Sequence, residues 1–232
     1  MNEMLAPESA RIHERGRGAT YVFDTLRDEI ISLRLAPGTV LSRVDLQDRF
    51  GLSSTPIRDA LMRLHEEGLV EVFPQHATVV TPIDLDRARQ AQFLRRSVEL
   101  ELVRTLAERA DKDLTEKLRS LVRQQSAFAE LREHEAFNSA DLSFHRTMYN
   151  AAGIGDLWYL VRRQAAHIDR LRRLNLPVEG KMRAIIGEHT AIVDAIASGE
   201  PDSAQNALRD HLSHSLEFAD KLKAQHPEYF AR

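Results

Sequence analysis

The hydrophobic repeat of this chain changes character once, at Pro82. Ahead of it, short helical stripes give way to two runs that read as strands, Leu69–Phe73 and Thr78–Thr81, around a turn at Pro74–Ala77. Beyond it, apolar residues recur only at helical spacing. That spacing predicts helices over 84–110, 114–130, 132–151, 155–175, 181–198 and 201–224, separated by short breaks such as "GIG" and "SGEPDS". A chain with its strand signal confined to one stretch cannot run a sheet through its whole body. The fold class expected is mainly α: a small N-terminal α+β module, then an all-α antiparallel helical bundle. The boundaries read as a polar arm over 1–17, the module over 18–82, the helical domain over 83–226 and a tail over 227–232.

Within the module, Val22, Leu26, Ile30 and Leu33 make one helical stripe, and "APG" at 36–38 ends it. "RVDLQDRF" fits a second short helix closed by Gly51. A third starts near "SSTP", with Ser53, Ser54 and Thr55 as caps and Pro56 in the first turn. Its inward face is Ile57, Ala60, Leu61 and Leu64. Two helices joined across "GLS" and followed by a hairpin form a winged helix-turn-helix pattern. In that arrangement the helix after the turn enters the major groove of DNA. Ser53, Ser54, Thr55 and Arg58 in its first turn suit phosphate contact, where hydroxyls, a guanidinium and free N–H groups converge. A protein-interaction module on the same fold is the competing reading. Bulk charge does not decide between them: the net charge is −3, and residues 1–82 carry nine Arg and no Lys against twelve Asp or Glu. Any nucleic-acid surface must therefore be a local patch.

The helical domain raises a different question, because its inward faces carry ionisable groups. In "FNSADLSFHRTMYN" (137–150), Asp141 and His145 lie one turn apart on the face of Phe137, Phe144 and Met148. His189 sits within the stripe Met182, Ile185, Ile186, Ile192, Val193, Ile196, and His211 within Ala204, Leu208, Phe218, Leu222. His167 joins a stripe with Leu160, Gln164, Leu171 and Leu174. One such histidine alone is more often a satisfied core residue. Burying several titratable groups separately is costly, and gathering them on one cation relieves the cost. Three imidazoles and one carboxylate, with no thiolate, suit a borderline divalent ion such as zinc or nickel, with manganese or iron as further candidates. The chain has no cysteine, which excludes disulfides and thiolate chemistry and fits a reducing compartment. No apolar run approaches the roughly 18 residues of a membrane span, and the N-terminus lacks the apolar core of a secretory signal. A cytoplasmic protein with no membrane partner is expected.

Residues 20–82 resemble the DNA-binding domain of GntR-family bacterial transcription regulators. The features that match are the Pro-Gly turn, "DRFGLSSTPIRDALMRL", and "EEGLVEV" leading into the wing. The resemblance implies DNA contacts from Thr55, Arg58 and the wing tip, Gln75 and His76, with Arg43 in a stretch where some members place a contacting arginine. Three positions depart from the pattern: Ser54 where a basic residue is frequent, Val44 in the stretch of that arginine, and Ala77 where the wing usually has glycine. The operator sequence therefore does not follow from the family. Residues 84–222 resemble the FCD domain, the effector-binding half of the FadR branch, through "FLRRSVELELVRTLAERA", "DLSFHRTMYNAAG" and "GEHTAIVDAIASGEPDSAQNALRDHLSHS". In many such domains an Asp-x-x-x-His pair and two later histidines hold a metal. Those positions are Asp141, His145, His189 and His211. Arg95 matches a position that often lines the family's pocket, with His167 and His214 as further pocket candidates.

The function implied is a ligand-responsive transcription repressor, a homodimer on a palindromic double-stranded operator, sensing a small organic acid at a divalent metal, zinc foremost. Two alternatives compete: a metal-dependent enzyme using the Asp/His site, and a DNA-binding protein whose metal is purely structural. The enzyme reading finds no general base with a distinctive motif and leaves the DNA module unexplained, so no catalytic activity is expected.

Overall fold

The computed structural model describes residues 8–73, 77–214 and 216–231. They divide into two compact units: one of residues 1–84 and 226–232, the other of residues 85–225.

The first unit holds helices α1 (Glu8–Ile31), α2 (Arg43–Phe50) and α3 (Ser54–Glu66) and strands β1 (Val40–Leu41), β2 (Val70–Phe73) and β3 (Ala77–Val80). Helix α1 begins at Glu8, inside the segment expected as an arm. The sheet is antiparallel in the order β1-β3-β2, with Val40 opposite Val79 and Val72 opposite Thr78. β1, a two-residue strand, is an addition to the expected hairpin; it is too short to show an alternating pattern. α2 starts at Ser42, whose hydroxyl accepts from Asp45 N, and stops at Gly51, which takes the left-handed conformation (φ 63°) that a side chain would resist. Val22, Leu26 and Ile30 of α1, with Ile57, Leu61 and Leu64 of α3, are buried as the core, so the helical stripes are the interface. The C-terminal residues, expected as a free tail, belong to this unit: Phe230 pairs with Ile83 in a parallel bridge and is buried.

The second unit is helical among its described residues: α4 (Leu85–Arg109), α5 (Lys112–Glu130), α6 (His134–Ala151), α7 (Gly155–Gln164), α8 (Ala166–Asn175), α9 (Lys181–Ser198), α10 (Pro201–Ser213) and α11 (Ala219–Gln225). α10 packs on α4 and α9, and α5 on α6 and α9. Their shared core includes Leu102, Leu106, Phe144, Met148, Ile192, Ile196, Leu208 and Leu212. Two expected helices are each broken. The run 155–175 parts at Ala165, which ends α7 and begins α8. Phase is lost there: Leu160 and Gln164 are exposed while His167 and Leu171 are buried, so the stripe that joined them does not exist. The run 201–224 stops at Ser213, with His214 as the cap, and resumes at Ala219.

Candidate functional site

Asp141, His145, His189 and His211 come from three helices, α6, α9 and α10, and all four are buried. One nitrogen from each of the three histidines lies within 4.8 Å of the others. His189 Nε2 is 3.7 Å from Asp141 Oδ1. The ring of Phe144 stacks on His189 at 4.1 Å between centroids, which fixes that imidazole's plane.

The hydrogen bonds around the cluster determine which atom of each ligand faces inward. His189 Nδ1 lies 2.9 Å from Gln125 Oε1, an acceptor, so Nδ1 carries the proton and the Nε2 lone pair is free. His211 Nδ1 donates to Glu188 Oε2 at 2.7 Å, with the same consequence. His145 Nδ1 stands 3.2 Å from Glu99 Oε2. Glu99 is held in turn by Arg95 Nε at 2.9 Å and by the Tyr149 hydroxyl. Asp141 gives Oδ2 to the Arg172 guanidinium. Asp141 Oδ1, the Nε2 atoms of His189 and His211 and both ring nitrogens of His145 are buried without a hydrogen-bond partner, as are Glu99 Oε2 and Gln125 Nε2 beside them. A buried orphan of this kind costs about 1–3 kcal/mol. Three clustered imidazoles, with an Asp141 oxygen 3.7 Å from His189 Nε2, are a donor set that fits a bound cation. The carboxylates and glutamine that orient the imidazoles are the supports that metal-ligating histidines ordinarily have.

Protonation suits the same occupant. Burial, reinforced by the charge of Arg95, lowers His145 to about 4, and burial together with His211 depresses His189 well below its usual value. For Asp141 burial alone would raise the pKa, but Arg172 and then His145 and His189 outweigh it and hold the carboxyl ionised. Glu99 is likewise held low, Arg95 and His145 overcoming burial. His145 and His189 are thus neutral donors at pH 7. The sign of the pH effect on the metal-free chain follows. Both histidines bind a proton more weakly folded than unfolded, so stability is full above about pH 6.5 and falls as pH drops towards 4. Chelator-treated protein is expected to lose about 2 kcal/mol between pH 7 and pH 5 through His145 alone, read as a lower urea midpoint. A midpoint flat over that range would contradict the buried neutral imidazoles.

Beside the cluster lies a cavity lined by Phe137, Asn138, Asp141, Arg172, Asn175, Leu176, Lys181, Ile185, Glu188 and His211. Its cations are Arg172 and Lys181. Arg95, expected to line a pocket, is buried against Glu99 and acts on the histidine site one residue removed. His167 is buried against Arg170, its Nδ1 3.0 Å from that guanidinium, and does not line the cavity. His214 is half-buried and meets the cavity through Glu188, whose Oε1 is 3.0 Å from its Nδ1. Sequence reasoning missed Glu99, Gln125, Arg172 and Glu188. The Glu188 carboxylate bridges His211 and His214.

In the first unit Arg43, Ser53, Ser54, Thr55 and Arg58 are all exposed. Ser53 caps α3 without a side-chain hydrogen bond, and the first turn of α3 carries no acid, so its N–H groups and hydroxyls stand open. Arg58 has Asp59 at 3.6 Å. Gln75 and His76 lie outside the described residues.

The comparisons agree with this division. Residues 19–80 match the bacterial regulatory proteins of the gntR family, and residues 90–214 match the FCD domain. An HTH-type transcriptional regulator of Streptomyces ambofaciens is 36% identical over 90% of this chain and 88% of its own length. The HTH-type transcriptional repressor RspR of Escherichia coli K12 is 25% identical over 90% of this chain and 92% of its own. In fold, E. coli McbR/YncC superposes with a TM-score of 0.75 at 18% identity, covering 88% of this chain and 98% of that one. A GntR regulator from Rhodococcus sp. RHA1 gives 0.68 at 22% identity, covering 85% and 94%. The chain belongs to the GntR family of bacterial regulatory proteins and carries an FCD domain: it is a transcriptional regulator, not an enzyme.

Proposed function

We propose that this regulator is a repressor that binds a palindromic operator as a homodimer in the cytoplasm and is controlled by a small carboxylate at a divalent-metal site. The ligands are Asp141, His145, His189 and His211, and zinc is the ion their chemistry favours, with nickel or manganese as substitutes. One observation carries the reading: three orphaned buried imidazoles lie together with Asp141 beside a cavity that Asp141 and His211 line. Charge around it explains the carboxylate. Arg95 offsets Glu99, Arg172 offsets Asp141, and Lys181 acts on Glu188, so the described polypeptide is close to neutral there. A divalent ion adds charge that nothing on the chain cancels, and an anionic ligand beside Arg172 and Lys181 would cancel it. The bound ion would supply a Lewis-acidic position for that carboxylate. Arg172 would orient it, and Phe137, Leu176 and Ile185 would pack its hydrocarbon part. On the DNA side, Ser53, Ser54, Thr55 and Arg58 at the start of α3 would meet the operator, with Arg43, Gln75 and His76 at its margins.

The test is a titration of zinc-loaded protein onto an operator duplex selected from random sequence, with and without a panel of small mono- and dicarboxylates. At least one acid should weaken DNA binding by roughly 5–150-fold, the usual range of coupling between two sites. The same acid should have no effect on His211→Ala. If no acid changes the affinity, the sensing role is wrong and a metal that only holds the bundle together is the surviving reading.

A further inference from the structure

We propose that the last residues of the chain form a strap through which occupancy of the histidine site reaches the DNA-binding unit. Helix α11 ends at Gln225, the last residue of the helical unit, and from His226 onwards the chain belongs to the other unit. There Pro227–Tyr229 makes one 3-10 turn, and the following residues pair with the stretch that leaves the wing. Ile83 N donates to Tyr229 O at 2.7 Å and Ala231 N donates to Ile83 O at 3.0 Å. Ile83 is fully buried and Phe230 is 5% exposed. Two residues back, Thr81 N donates to Leu69 O and its hydroxyl to Gly68 O, closing the base of the hairpin. The strap therefore grips the same short stretch that fixes the wing. Residues 229–231 are held there by a backbone pair and an aromatic plug.

The other end of the strap starts at the histidine site. His211 and His214 both bond the carboxylate of Glu188, just ahead of the break between α10 and α11. α11 buries Ala219 and Leu222 and packs on α8, the helix whose Arg172 holds Asp141. Two of the four metal ligands thus stand one contact away from residues 214–225, which lead directly into the strap. An ion that fixes the His211 ring and the Asp141 carboxylate restrains both the start of that run and the helix it packs against. The Ile83–Phe230 pairing is the contact whose balance between docked and released the site would bias.

Hydrogen exchange on the full chain, with zinc and with chelator, tests this. Zinc should slow exchange of residues 77–84 and 226–231 by about five-fold or more, alongside protection of 185–213 around the ligands. The response at 77–84 should vanish in Phe230→Ala and in a chain ended at Gln225, both of which should still take up zinc. Ala231→Pro is the gentler variant. It deletes only the N–H given to Ile83, and Phe230 is already extended (φ −110°, ψ 149°), as a residue before proline must be. It should cut the response at least two-fold. Zinc uptake with protection of 185–213 and none at 77–84, or an equal response at 77–84 without the strap, would overturn the inference alone. A parent chain that takes up no zinc would overturn the metal site and this inference with it.

Discussion

Alanine at His145 or His211 abolishes stoichiometric zinc uptake: dialysed parent protein should hold about one ion per chain, and each variant close to none. The expectation rests on how completely the atoms of the four proposed ligands are prepared. An unpartnered nitrogen of each histidine and one Asp141 oxygen are buried, and the three histidine atoms already lie within 4.8 Å of one another, so binding costs little reorganisation and loss of one donor leaves the set incomplete. Stability should follow. A ligand bound by the folded state alone stabilises it by RT ln(1 + [L]/Kd), about 4 kcal/mol at a thousandfold excess over Kd. For a unit of this size that raises the unfolding transition by roughly 10 °C, and chelator should reverse the gain in the parent only. His145→Ala separates ligation from burial. Without metal it leaves a cavity and takes a partner from Glu99, so the metal-free variant should be less stable than the metal-free parent, and it is the loss of the further gain from zinc that reports ligation. If both variants retain a full complement of zinc, the four residues are not its ligands.

The supporting residues should grade below the ligands. Glu188 touches no ion in this arrangement; it holds the His211 ring by Nδ1, and supports of that kind are worth about 10–100-fold in metal affinity. Why the clustered residues were legible in the sequence and the residues that hold them were not is a matter of distance along the chain. Asp141 and His145 are a local pair, and one helical turn explains both. His189 and His211 each interrupt an apolar stripe, which the period exposes. Gln125 interrupts one too, following Leu114, Leu118 and Val122 along α5, and the same rule would have found it. Glu99 and Arg95 are an i, i+4 pair indistinguishable by spacing from the exposed pairs on the same helix, such as Arg104 with Glu108. Only tertiary packing makes one buried and the other solvated. Arg172 meets Asp141 across 31 residues, and its helix has a phase set by the break at Ala165, where neither proline nor glycine gives warning. Breaks without such residues are set by packing, and the periodicity reading ran straight through both of them. The winged module was nearly fully legible because its turns are written in Gly, Pro and Ser. Its two-residue strand β1 was not, and neither was the burial of Phe230, since no local pattern distinguishes a docked terminus from a free one.

On the DNA side the largest single effect is expected at Arg58. Its side chain is 63% exposed, one turn into α3, and Asp59 stands 3.6 Å away, an exposed pair worth little and easily given up. The surrounding hydroxyls and open N–H groups of the α3 start can fix the helix on the phosphates. The guanidinium is the group in that turn able to reach a base edge with two parallel hydrogen bonds. Arg58→Ala is therefore expected to weaken binding to the selected operator by roughly 10–100-fold while leaving metal content and unfolding temperature unchanged. Arg58→Lys decides how the residue works. A lysine keeps the charge but not the fork, so a phosphate contact would survive it, and a bidentate guanine contact would be lost together with selectivity at one base pair. Salt gives a second axis. Loss of a phosphate contact lowers the slope of log K against log salt by about 0.9, whereas loss of a base contact leaves the slope in place. Anisotropy titrations of parent, Arg58→Ala and Arg58→Lys at two salt concentrations resolve the alternatives. An Arg58→Ala protein that binds the operator as tightly as the parent would show that the start of α3 does not face the DNA through this residue, and Arg43 would be the next to replace.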